Sequence, residues 1–183
     1  MQKGRKSILQ HVQEILAGQK YNGVAVLYNH KTRKHTFVPG CNIVSNAGDT
    51  HYAQKACGES PTNAFLKLYL AQGAAPVTPA KTDTYATFTT VIAASEKALT
   101  VDYPMTADPD SDNTGAGVDI ITWLFEYTGG DGNWADITHC FISIASASGT
   151  DPILNSFKFS AAWDKDGDTS AKVFINHTVN GIA

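Results

Sequence analysis

The sequence predicts a mainly β fold, an antiparallel β-sandwich preceded by a short N-terminal helix and hairpin, for a chain of 183 residues. Three observations predict it. Residues 153–163 and 171–179 alternate apolar and polar side chains with the period of two that belongs to a strand with one buried face. Gly, Asp and Asn punctuate these runs at the spacing of turns, as in Asp164-Lys165-Asp166-Gly167-Asp168. No strand–helix–strand rhythm runs through the chain, which sets aside a doubly wound nucleotide-binding sheet.

In chain order, residues 7–17 read as an amphipathic helix. Ser7 stands at the cap, Gln10 completes a capping box, and Ile8, Leu9, Val12, Ile15 and Leu16 form one stripe that Gly18 ends. Eleven residues make a marginal helix in isolation, so the stripe needs a partner surface on this chain or on a neighbour. Residues 23–38 read as a hairpin closed by Pro39-Gly40. Asn42-Ile43-Val44 is short and β-branched, Asn46-Ala47-Gly48-Asp49 has turn chemistry, and 50–56 suits a helix that Gly58 stops. Residues 65–70 form a strand, 73–81 a proline-bearing loop, and 84–92 an extended segment. Four stronger strands follow at 118–128, 136–144, 153–163 and 171–179. The first is apolar on both faces and therefore central. The third places Ile153, Phe157, Phe159, Ala161 and Trp163 on one face, and the fourth places Val173, Ile175 and Val179 together. No internal repeat is present.

Charge divides the chain. The first forty residues hold seven Lys and Arg against Glu14 alone, a balance of +6, whereas the remainder has seven basic against sixteen acidic side chains, a balance of −9. Residues 1–40 therefore read as a basic helix-hairpin arm and 41–183 as the sandwich body. Such an arm suits head-to-tail docking between copies, an acidic partner, or merely a solvated face. Charged residues make up 17% of the chain, below the roughly 25% usual for soluble domains, which points to a surface that packs against other protein. Sustained nucleic-acid binding does not fit the acidic body. The basic N-terminus lacks the apolar core of a signal peptide, and no apolar run approaches the roughly 20 residues that span a membrane. Three cysteines do not make a secreted disulfide framework.

The candidate chemical groups read as structural. Cys41, His51 and Cys57 lack the close cysteine pairs of a zinc site, and nothing beside them specifies a base or an oxyanion site. Cys41 and Cys57 read as small half-buried side chains, with a disulfide between them left open. Asp164, Asp166 and Asp168 read as a hairpin turn with Gly167 at positive φ, because a calcium loop needs its Gly sixth and a Glu twelfth. The run Asp108-Pro109-Asp110-Ser111-Asp112 through Asp119 reads as a solvated loop, with calcium binding as the alternative. Trp123 and His139 belong in the core or an interface, and His177 reads as a satisfied buried histidine. No catalytic, cofactor-binding or metal-binding residue is assigned.

Asn42-Ile43-Val44-Ser45-Asn46-Ala47-Gly48-Asp49 resembles an N-x-V-x-N-x-G element of small virion structural proteins of tailed bacteriophages. In those proteins a short helix, an apolar strand and a Gly/Ala/Pro/Thr-rich stretch ending near Asp-Thr follow. The matching pieces here are 65–70, Gly73-Ala74-Ala75-Pro76 and Asp83-Thr84, with a closing Val179-Asn180-Gly181. The resemblance covers about 41–183 and implies an assembled, non-enzymatic subunit. The expected role is a capsid-associated decoration or cement protein, with a tail, neck or baseplate subunit as the alternative. From another class comes a receptor- or carbohydrate-binding module, for which exposed aromatics such as Trp134 with Tyr127 would speak. Expected partners are other virion proteins and further copies of the chain, with no membrane and no specific nucleic acid. The expected location is the virion, assembled in the host bacterial cytoplasm.

Overall fold

The computed structural model describes residues 7–17, 21–73, 78–106 and 120–178. The expected stop at Gly18, the side chains of Leu9 and Leu16, most of Gly73–Pro76, the acidic run 108–119 and the closing 179–181 lie outside the described residues. The chain is mainly β. Its elements are α1 (Ile8–Ala17), β1 (Gly23–Asn29), β2 (Lys34–Val44), α2 (Asn46–Ala56), β3 (Lys67–Gln72), β4 (Lys97–Ala98), β5 (Met105–Thr106), β6 (Ile120–Tyr127), β7 (Trp134–Ser143), β8 (Ile153–Lys165) and β9 (Thr169–Thr178).

Among the described residues the strands form one antiparallel sheet, ordered β4-β3-β7-β8-β2-β1-β9-β6-β5, and not the two sheets of a sandwich. The cause lies in β2, which pairs with β1 over Lys34–Gly40 and with β8 over Gly40–Val44, so that no gap opens between two halves. The sheet nearly closes on itself. The Leu99 N–H donates to Leu66 O beside β3 (2.9 Å), and the next N–H, of Thr100, donates to Leu124 O in β6 (3.0 Å). One short segment thus joins both ends of the sheet and covers edges that would otherwise be open.

Pro39-Gly40 does not end the hairpin. Gly40 lets β2 continue, because a Cβ there would lie 2.4 Å from the Lys158 carbonyl oxygen and 2.5 Å from the Phe157 ring. The expected division into a 1–40 arm and a 41–183 body therefore falls inside a strand. β1 and β2 sit mid-sheet, where β1 pairs with β2 on one side and β9 on the other.

Alternation sorts the side chains. Ala25, Leu27, Leu68, Leu70, Trp123, Phe125, Phe157, Val173 and Ile175 belong to one buried cluster drawn from seven strands, the filled interior of the sheet. The opposite face carries two separate clusters. On one, Val12 of α1 packs with Val24, Val26, Leu124 and Phe174, and Ile15 adds to it. Val12 and Ile15 of the stripe thus find their partner in their own chain, while Ile8 is 42% exposed. On the other, Tyr85, Phe88 and Val91 cover Tyr69, Phe141 and Ile153. Residues 84–92 are extended only in part. They hold a 3-10 turn at Tyr85–Thr87, while Thr84 bridges Pro152 and Val91 bridges Ala71 beside β3, and Tyr85, Phe88 and Val91 are packed into the cluster.

β8 departs from its expected face. Ser143 pairs with Ile153 and Ile142 with Asn155, so Leu154 is an extra residue in the ladder. The bulge turns Leu154 into the interior and Ile153 outward to Phe141, and Ala161 ends exposed.

Candidate functional site

The segment on which the virion-protein resemblance rests performs structural tasks. The Asn42 side-chain amide donates to Asn176 O (2.8 Å), while Asn42 N–H donates to Asn22 Oδ1 (2.5 Å), tying β2 to β9 and to the entry of β1. Ser45 caps α2, its Oγ accepting the Gly48 N–H (3.0 Å) and donating to Ile153 O. Asn46 N–H donates to Lys81 O (2.8 Å), and Asp49 pairs with Lys81 (2.6 Å). Gly48 is needed because a Cβ would come within 2.2 Å of Leu154 O. The expected turn at 46–49 is the first turn of α2. Ser45→Ala should lower unfolding stability by about 1–2 kcal/mol in urea titration, since a cap and a buried acceptor lose their partner together. An unchanged midpoint would show that the cap is dispensable.

The other sequence candidates do not converge. Among the described residues no disulfide forms, Cys41 and Cys57 are exposed instead of half-buried, and Cys140 is buried. No three His, Cys, Asp or Glu of the described residues are placed to hold a metal ion. Asp164 and Lys165 still belong to β8, and 166–168 make the β8–β9 turn, in which Asp166 Oδ1 accepts from Asp168 N–H (3.1 Å) and Thr169 Oγ (2.6 Å). Gly167 does not take the left-handed conformation expected of it, and a Cβ there has room. Trp123 and His139 are buried. His177 is buried, and its Nδ1 lies 2.5 Å from the Tyr52 hydroxyl.

Tyr127 and Trp134 are not an exposed aromatic pair. Tyr127 is only 2% exposed, and Trp134 meets it edge-on at 5.6 Å. Lys165, missed in the sequence although in phase with Phe157, Phe159 and Trp163, lies 5.3 Å over the Trp134 ring and donates to Gly132 O (2.8 Å). Burial lowers its pKa.

What the fold does present is the β1–β2 turn. His30, Lys31, Thr32, Arg33, Lys34, His35 and Thr36 are consecutive exposed residues. Asn29 makes this turn rigid: its Oδ1 accepts from Thr32 N–H (2.8 Å) and Thr32 Oγ (3.0 Å), and its carbonyl accepts from Arg33 N–H (2.8 Å). Arg33 sits at φ 55, a left-handed position. Lys31 is held by Asp168 at 2.5 Å. Tyr28 packs between His30 (4.9 Å) and His35 (4.7 Å). The tip is an exposed basic and imidazole-rich surface, in which Lys31 is paired with Asp168. Its residues were legible as a hairpin loop, but their joint exposure depends on the sheet around them. Two shallow hollows, of about 220 Å³ beside α2 and about 290 Å³ where β2 meets β8, gather no converging charged groups. No described helix is long and apolar enough to cross a membrane. Comparison with protein-family models, with curated proteins and with solved structures finds no match to this chain.

Proposed function

We propose that the chain is a non-enzymatic structural subunit of a tailed-bacteriophage virion, a capsid-associated decoration or cement protein, that docks on an acidic neighbour through the β1–β2 tip. The observation that carries this is the rigid, exposed run 30–36 on a barrel whose interior is filled by side chains. The residues of the virion-like motif support it too, since they tie β2 to β9, cap α2 and hold the cap to β8. A preorganised basic surface loses little side-chain freedom on docking and steers an acidic partner.

The test is made on purified particles. Stoichiometry comparable to that of the major capsid protein supports decoration, and stoichiometry near that of the portal supports the tail or neck alternative. Absence of the chain from particles overturns the virion assignment. Arg33→Asp with Lys34→Glu should lower particle occupancy about tenfold, near 1.4 kcal/mol, while the melting temperature stays unchanged. Asp is suited to the left-handed backbone at 33. Normal occupancy of this variant would remove the docking role from the tip and leave the assignment standing.

A further inference from the structure

α2 is a polar helix with little to hold it. Gly48 is its only buried residue, and the helix reaches the core through Ala47, Tyr52 and the His51 ring, which stands edge-on to Phe65 at 5.3 Å. Its anchors are the Ser45 cap and the Asn46 and Asp49 contacts with Lys81 at the start, then Tyr52 one and a half turns on. Ala53, Lys55 and Ala56 are exposed.

The polarity of the Tyr52 contacts is fixed by chemistry. Trp123 Nε1 can only donate, so the Tyr52 oxygen accepts it (3.0 Å). The hydroxyl proton then goes to His177 Nδ1, 2.5 Å away, and the imidazole carries its own proton on Nε2. His177 is 1% exposed, and its Nε2 has no hydrogen-bond partner. The titratable groups on the packed elements are few. Tyr52, His51 and Lys55 come from α2; His51 stands edge-on to Tyr52 at 5.7 Å, and burial, with Lys55 nearby, lowers its pKa too, while β6 brings Trp123 and β2 brings Asn42, neither of which titrates. Asp49, in the first turn of α2, is engaged with Lys81 on the exposed side. Burial alone depresses the imidazole, to about 3, and no carboxylate offsets it.

We propose that His177, Tyr52 and Trp123 form an acid-releasable latch, which holds α2 over one end of the barrel and lets it swing out about Ser45 when the imidazole takes up a proton. A proton on Nδ1 faces the Tyr52 hydroxyl donor to donor. Tyr52 must turn its own proton away, where no acceptor is placed for it, and an unpaired charge remains in an apolar interior. Release of α2 hydrates the imidazole and returns it to its ordinary range. The sign follows from the lowered pKa. Above about pH 6.5 both closed and open forms are neutral, and acid has no effect. Between about 6.5 and 3 the open form holds one more proton, so opening grows about tenfold for each pH unit lost.

Hydrogen exchange on the full chain, with times scaled for intrinsic rates, tests this at pH 7 and 4.5. Peptides within 46–57 should lose about a hundredfold in protection at pH 4.5, while those within 23–29 keep theirs. His177→Gln, whose amide oxygen accepts the Tyr52 proton and cannot become charged, should lose most of the acid response and keep only what His51, the other imidazole on α2 lowered by burial, contributes. Tyr52→Phe should expose α2 already at pH 7. Unchanged protection of 46–57 in the wild type overturns the latch, as does an equal acid response in His177→Gln. Full α2 protection in Tyr52→Phe at pH 7 does so as well. Loss of 23–29 together with 46–57 overturns it too, because the barrel itself would then be unfolding.

Discussion

A chain beginning at Cys41 should not fold. Removing residues 1–40 takes away all of β1 and most of β2. β1 lies between β2 and β9, with seven residue pairs to each. Val24 and Ala25 are fully buried, Val26 and Leu27 nearly so, and the deletion would bare both the interior and the outer face that α1 covers. Val24, Val26 and Leu27 each contribute roughly 1.5–3 kcal/mol by burial, so their joint loss, with the ladder hydrogen bonds gone as well, is of the same order as the roughly 5–15 kcal/mol that holds an ordinary domain together. A chain beginning at Tyr21 is a different case. It loses α1, and with it the contacts of Val12 and Ile15, but keeps every strand of the sheet. That chain should melt cooperatively at a lower temperature, with a loss of a few kcal/mol. Circular dichroism and amide dispersion in proton–nitrogen correlation spectra separate the two. A cooperative, well-dispersed 41–183 chain would mean that β1 and β2 are an appendage after all.

The difference between that result and the charge-based division shows which features a sequence displays. The capping box of α1 was readable because it depends on neighbours three residues apart, and it forms as expected: Ser7 N–H donates to Gln10 Oε1 (2.8 Å) and Gln10 N–H to Ser7 Oγ (3.2 Å). The inward faces of β9 and of the latter part of β8 were readable from period two. Charge, by contrast, was read along the chain, while sheet pairing runs across it, so the change of sign near residue 40 marks no boundary in space. The bulge at Leu154 leaves no signature in an apolar run. Asn46-Ala47-Gly48-Asp49 resembles a turn until Leu154 O is brought against Gly48, which makes glycine a packing requirement within a helix. Tyr52 and His177 stand 125 positions apart, and nothing local in either segment announces the other. The basic tip was legible in composition and illegible in exposure.

Gly40 and Phe157 carry the second large effect. The Phe157 ring, fully buried, lies against two glycines: a Cβ at Gly23 would stand 2.4 Å from its Cε2, and one at Gly40 2.5 Å from its Cε1 and Cζ. Two bare backbones thus make the slot that the ring fills, at the place where β2 changes partner from β1 to β8. Phe157→Ala should cost about 3–5 kcal/mol, because rigid strands on both sides prevent the cavity from collapsing. Gly40→Ala should cost about 1–3 kcal/mol or more by overpacking. The two costs have different physical parts, which a double-mutant cycle in urea separates. Phe157→Leu removes Cε1 and Cζ, so in that background Gly40→Ala should hurt less, with a favourable coupling of about 0.5–3 kcal/mol. Rescue should nevertheless remain incomplete, because the same Cβ also stands 2.4 Å from the Lys158 carbonyl oxygen, a backbone atom held in the ladder with Cys41. Strict additivity would mean that the carbonyl alone demands glycine at 40 and that the ring merely occupies the space left over. Complete rescue would mean that the backbone can yield, and that the ring alone sets the path of β2 across the barrel.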